Sequence, residues 1–203
     1  MRIHLSGDYR ENQRTGERSP GHHGRVLITW RRLTEEDFPM IRDWLSEPRT
    51  RRWWNHETTP EAVQNDFGAS ARGEEPGQDW LALLDGVPFG LLQRSAFSDY
   101  PEYLDPLSEI TEVPPGAMSL DYLVATESLR GQGLGVQMIK SMLARTWAEY
   151  PDAPCVVVPV AAGNRRSWRA LEKAGFHRVA EGDLEPDNPI DPPLHYVYRI
   201  DRP

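Results

Sequence analysis

One short segment constrains the fold of this chain more than any other. Met118–Val124 reads as a strand, and the stretch carrying Leu134, Met138, Ile139, Met142, Leu143 and Trp147 on one face reads as an amphipathic helix. Between them lies Arg130-Gly131-Gln132-Gly133-Leu134-Gly135. Glycines there let the backbone turn tightly with its N–H groups directed into one concavity, and the helix that follows adds the positive end of its dipole. Such a turn is a cradle for a pyrophosphate. It lacks the Lys-Ser/Thr of a P-loop, which disfavours nucleotide hydrolysis, and it lacks the full dinucleotide glycine spacing. A glycine-rich turn is also an ordinary way to start a helix, so the downstream elements have to decide.

The rest of the chain alternates strands and helices. Val26, Leu27, Ile28 and Trp30 make a first strand. Thr34 followed by Glu35, Glu36 and Asp37 is a helix start, and Phe38, Ile41, Trp44 and Leu45 recur at helical spacing until Pro48 ends the run. A second helix begins near Pro60 with Val63 and Phe67. Trp80–Leu84 and Phe89–Leu92 flank Asp85-Gly86, a hairpin signal, and residues 95–116 read as a long acidic loop. Cys155–Val160 is apolar throughout, as in a strand buried on both faces. Arg165–Ala174 is helical and stops at Gly175, and Phe176–Ala180 and His195–Ile200 are the last strands. This order predicts one mixed α/β (α+β) domain over residues 25–203. Residues 1–24, polar and without an apolar period, read as a disordered arm, and His22 and His23 as part of that arm rather than metal ligands.

At 203 residues the chain suits a single core. It has no apolar run near the roughly 20 residues that cross a bilayer, and no apolar stretch after its first arginines to make a secretory signal. Cys155 is the only cysteine, which excludes an internal disulfide and a cysteine-based metal cluster and favours a reducing, cytoplasmic setting. The net charge of −8 is concentrated in two segments. Asp99, Glu102, Asp105, Glu109 and Glu112 fall in one; Glu181, Asp183, Glu185, Asp187 and Asp191 fall in the other, with no Lys or Arg in either. Solvated acidic loops are one reading. A cationic partner is the other, and both argue against nucleic acid.

Arg130-x-x-Gly133-x-Gly135, with Asn164 and Leu171-Glu172-Lys173-Ala174-Gly175-Phe176 downstream, resembles the acetyl-CoA site of the GNAT superfamily of N-acetyltransferases. That resemblance implies a central, mostly antiparallel mixed sheet, splayed between its fourth and fifth strands and flanked by helices. It implies that Arg130, Gly131, Gln132, Gly133, Leu134 and Gly135 hold the CoA pyrophosphate, that Leu123-Val124 pairs with the pantetheine arm, and that Asn164 binds its amide. Trp44-Leu45, Trp53-Trp54, Gly90, Gln93 and Leu120-Asp121 are further similar to the aminoglycoside 6'-N-acetyltransferases. On that similarity Asp121 is the base for the acceptor amine, Trp53, Trp54 and Gln93 wall the pocket, and Asp99 with Asp187 or Asp191 supplies its acids. Two positions depart from the pattern: Pro159 replaces a substrate-binding aspartate, and Leu171 a tyrosine able to protonate the CoA thiolate.

The residues themselves carry part of this reading. Asp121 lies between Leu120 and Tyr122, so on a strand its side chain points opposite to theirs. Tyr100 and Tyr103 interleave with Asp99 and Glu102, a combination suited to stacking on a cationic sugar or amine. Cys155 belongs to the core, and His177 and His195 are secondary candidates for a base. The expected reaction is direct transfer without metal or covalent enzyme intermediate. Asp121 takes a proton from the acceptor, and a backbone N–H near Leu123 polarises the thioester carbonyl. The expected partner is a cationic small-molecule amine, with no nucleic acid or membrane, and the enzyme is a monomer or homodimer. Alternatives are a siderophore-pathway lysine or N-hydroxylysine acyltransferase, an enzyme modifying protein N-termini, and a non-catalytic CoA-binding sensor.

Overall fold

The computed structural model describes residues 27–203. Val26, the two histidines and the arm expected over residues 1–24 lie outside that range. Seven strands form one sheet in the order β1-β2-β3-β4-β5-β7-β6. They are β1 Ile28–Arg32, β2 Gln78–Leu84, β3 Val87–Ala96, β4 Met118–Val124, β5 Cys155–Ala161, β6 His177–Asp183 and β7 Leu194–Asp201. Every neighbouring pair is antiparallel except β4 and β5, which are parallel and meet only through Met118 opposite Val156 and Ser119 opposite Val157. Beyond Ser119 the two strands separate. The expected mixed sheet, splayed between its fourth and fifth strands, is therefore the observed one.

Local chemistry explains the sharp connections. Asp85 and Gly86 both take positive φ, 51° and 80°, the pairing that a two-residue turn of the I′ kind requires. At Gly90 a Cβ would sit 2.7 Å from the Leu123 carbonyl and 3.0 Å from the Met138 sulfur, so only glycine lets β3 pass there. Helices cover both faces of the sheet. On one, Ile41 and Leu45 of α1 (Phe38–Ser46) and Val63 and Phe67 of α3 (Pro60–Arg72) pack on Leu81, Leu91 and Leu123. On the other, Ile139, Met142 and Leu143 of α5 (Leu134–Glu149) and Leu171 of α6 (Arg165–Ala174) pack on Trp80, Leu92, Leu120, Val156 and Val158. Strand alternation then gives Asp79, Gln93 and Asp121, which stand opposite one another on β2, β3 and β4, to the first face.

Two helices were not expected. Pro48 does follow the end of α1, but it also opens α2 (Pro48–Trp54), where a missing N–H costs nothing in the first turn. The segment 95–116 is not one long loop: it contains α4 (Pro101–Ser108), with Pro101 in its first turn and Pro106 inside it. Pro106 removes a helical hydrogen bond, and the helix persists because Leu107 is buried and Leu104 packs in a cluster with Phe97, Val157 and Val197. Tertiary burial overrides propensity at that point.

Candidate active site

The gap between β4 and β5 opens into a cleft of about 1040 Å³. Gly131 and Gly133 hold φ of 77° and 81°, and a Cβ at either would meet no atom within 4 Å, so both face open space in a conformation that suits glycine. Gly133 also precedes the first turn of α5, whose N–H groups join the loop's. Arg49, Arg165, Arg166, Arg169 and Lys173 line the same cleft against one acid, Glu127. Glycine-bearing backbone donors, a helix N-terminus and an excess of bases together suit a pyrophosphate.

Individual residues of this cleft differ in what they offer. The Arg130 side chain is turned inward: Nε donates to the Val124 carbonyl at 2.8 Å, and the guanidinium binds the Ala125 carbonyl and the Glu47 carboxylate. Arg130 therefore ties the loop to the end of β4, and its backbone is what remains for a phosphate. Gln132 donates to the Ser128 carbonyl and Leu134 is buried beneath the loop. Asn164 caps α6, its Oδ1 accepting from the Ser167 N–H at 3.3 Å, which leaves its amide N–H₂ toward the cleft it lines. The bond from the Ala125 N–H to the Phe89 carbonyl (2.9 Å) sets the ladder alternation: Asp121 and Leu123 present their backbone groups to β3, Tyr122 and Val124 to the open gap. Of the two N–H groups facing the gap, Tyr122's is taken by the Asp121 carboxylate, so a donor near Leu123 would be the Val124 N–H. Tyr122 was not singled out from sequence. Its hydroxyl lies 2.9 Å from the Ser167 hydroxyl and bridges β4 to α6.

A second cleft, of about 820 Å³, lies beside the first and is strongly acidic. Asp66, Glu75, Asp79, Glu102, Asp121, Glu185 and Asp187 line it. Its bases are largely engaged: Arg94 by Gln78 and Glu149, His56 by Asp66 at 2.7 Å, and His195 Nδ1 by the Pro193 carbonyl at 2.7 Å. Asp121 Oδ1 accepts from the Tyr122 N–H at 2.8 Å. Asp121 opens to the cleft, yet protein surrounds its carboxylate; this desolvation, with the nearby Asp187 charge, pushes its pKa up to about 7. Desolvation also raises Asp187. Ser119, Leu120 and Asp121 line the acidic cleft and Tyr122, Leu123 and Val124 the basic one, so β4 floors both, and Trp54 lines both.

The other predicted residues divide accordingly. Gln93, Tyr100, Glu102 and Asp187 line the acidic cleft, and the Tyr100 hydroxyl accepts from the Gly77 N–H at 2.9 Å. Trp53 lines the basic cleft instead, its ring 3.5 Å from where a Cβ on Gly163 would stand. Asp99 is absent from both linings. Asp191 is held by both nitrogens of the Arg52 fork, which joins α2 to the segment between β6 and β7. Pro159 lines the acidic cleft, Leu171 is buried in the core, and Cys155 is buried as expected. Among the described residues no group of three or more His, Cys, Asp or Glu is placed to hold a metal ion, and no helix is long and apolar enough to cross a membrane.

Residues 34–184 match the family described as the acetyltransferase (GNAT) domain. The chain is 29% identical over 167 residues to the aminoglycoside N(6')-acetyltransferase type 1 of Klebsiella pneumoniae, covering 80% of this chain and 79% of that protein. Its structure is similar to that of AAC(6')-Ib in complex with ribostamycin and coenzyme A, with a TM-score of 0.72 and 26% identity over 86% of this chain and 93% of that one. It is likewise similar to the same acetyltransferase with coenzyme A and kanamycin, with a TM-score of 0.69 and 25% identity over 87% and 95% of the two chains. With the splayed sheet, the glycine cradle and the family match spanning most of its length, the chain belongs to the GNAT acetyltransferases.

Proposed function

We propose that this protein acetylates an amine of an aminoglycoside-like polycation, drawing on cytoplasmic acetyl-CoA. The observation that carries the reading is the meeting of two clefts of opposite charge over one strand, with Asp121 at the junction. The basic cleft suits the phosphates of CoA, and the acidic cleft suits a substrate with several ammonium groups.

Acetyl-CoA supplies the activated acetyl group as a thioester. Gly131, Gly133 and the first turn of α5 hold its pyrophosphate, and the backbone of Val124 facing the gap aligns its arm. The acceptor arrives as an ammonium and is held by Asp121 and Asp187. Asp121, with its pKa raised to about 7, takes a proton, and the freed amine lone pair attacks the thioester carbonyl. The C–S bond breaks to release CoA as its thiolate, which takes up the second amine proton. Beside the ammonium the pKa of Asp121 is held down and its carboxylate is charged; once the amine has lost its proton the pull is gone, and the carboxylate can keep the proton. Trp54 lines both clefts at the junction.

The test is acetyl transfer with purified protein, acetyl-CoA and kanamycin, followed by thiol release and by the mass of the product. One acetyl group gained per thiol released supports the reading. CoA binding without thiol release on kanamycin or ribostamycin would overturn it and leave the sensor or another acceptor.

A further inference from the structure

Among the carboxylates of the acidic cleft that have no role in this scheme, one is buried. Asp79, the second residue of β2, is 3% exposed, yet it lines the cleft. One oxygen accepts from Gln93 Nε2 at 2.8 Å, and the Ser70 hydroxyl, which accepts from the Asp79 N–H at 3.2 Å, is its other polar neighbour. Among the described residues it forms no ion pair. Arg32 donates to the Ser70 carbonyl at 3.1 Å and stacks on Trp80, and His56 is taken by Asp66. Burial therefore raises the pKa of Asp79 against the weaker pulls of Gln93, Ser70, Arg32 and His56, and a ligand cation set beside it would restore the charged form. Its position adds direction. Asp79, Gln93 and Asp121 stand in register on three neighbouring strands, so Asp79 lies two strand spacings, about 10 Å, from Asp121. On the β5 side of the same cleft Pro159 offers no charge.

We infer that Asp79 is a specificity-determining residue that takes a second ammonium group of the acceptor, on the β2 side of the cleft, while the reacting amine sits at Asp121. The inference rests on the acceptor occupying this cleft. It defines the substrate class more narrowly: amines with a second cationic nitrogen several bonds from the first, which Gln93, between the two carboxylates, can also hydrogen-bond.

The experiment compares wild type with Asp79→Asn by isothermal titration in the presence of CoA. The probes are kanamycin, spermidine and the single-amine fragment methyl 6-amino-6-deoxyglucoside. Asn keeps the shape and the bond from Gln93 and removes the charge, so kanamycin and spermidine should each bind at least about 10-fold more weakly. The monoamine and CoA should be unaffected. Equal kanamycin and spermidine affinities in both proteins, or the same loss for the monoamine and for CoA, would overturn the subsite and make Asp79 structural. A wild type that binds spermidine through Asp79 but not kanamycin would overturn the aminoglycoside reading alone. Should the Asn variant not fold, Asp79→Glu, which keeps the charge and moves it by one methylene, carries the same comparison. An unchanged preference for polyamine over monoamine in that variant would count against the subsite.

Discussion

In the proposed reaction Asp121 has to be charged when a cation arrives and to accept a proton afterwards, and a pKa near the working pH meets both demands. Asp121→Asn keeps the size and one acceptor oxygen but cannot take a proton. It should lower kcat by about 10²–10⁴-fold while leaving CoA affinity unchanged, measured by steady-state kinetics and calorimetry. The wild-type kcat/KM should fall as pH drops through about 7, and that limb should vanish in the variant. Stability should move the other way. A folded-state pKa raised above its ordinary value means that the protonated form suits the fold, so the wild type gains stability below the unfolded pKa and loses it as pH rises through about 7. The Asn variant should therefore melt higher than wild type at pH 8, with the difference closing toward pH 4. Asp121 could be read from strand alternation and family pattern together. Asp79 could not, since Gln-Asp-Trp at the head of a strand reads as an ordinary polar start, and its meaning comes from the register with Gln93 and Asp121 that three non-local pairings create.

Elements position these residues, and the loop before α5 shows how. Its glycines form the cradle, but Arg130 sets where the cradle stands, by gripping Val124, Ala125 and Glu47. Arg130→Ala should destabilise the fold by roughly 1–3 kcal/mol in urea titration, because charge-assisted bonds to two carbonyls and a carboxylate are lost together. CoA should bind more weakly as the loop loosens. Gly133→Asp should spare the fold more and CoA less. It places an L side chain at φ 81° and a carboxylate beside the phosphates, and unchanged CoA affinity by calorimetry would remove the loop from the site. The strands, α5 and α6 were evident from periodicity, caps and turn chemistry, which are local. The helices α2 and α4 were not: Pro48 reads as the end of α1 and the acidic run 95–116 as a loop, and α4 keeps its internal proline with Leu107 buried and Leu104 packed in the same cluster. Of the two lining acids offered between β6 and β7, Asp187 lines the acidic cleft, whereas the Asp191 carboxylate binds Arg52.

Charge is partitioned across the whole molecule, so the net value of −8 conceals a basic cleft beside an acidic one. Two substrates of opposite charge can then be drawn to adjacent sites without competing, and each is repelled from the other's cleft. The partition predicts a crossed result. Arg166→Gln with Arg169→Gln should weaken CoA binding and flatten its dependence on salt, because fewer counter-charges remain to be screened. Kanamycin binding should be nearly unchanged, or slightly tighter as positive charge is removed nearby. Glu102→Gln with Asp187→Asn should weaken kanamycin and flatten its salt dependence, with CoA unchanged or slightly tighter. All four affinities are measurable by calorimetry between low and physiological ionic strength. Both arms matter, because a protein acting only through its net charge would respond alike to any change of the same sign, wherever it was made. Loss of both ligands in either double variant would mean that the side chains hold the fold. A loss confined each time to one ligand would mean that the junction over β4 divides the molecule into two electrostatic halves, with Asp121 at the boundary where the acceptor amine meets the thioester.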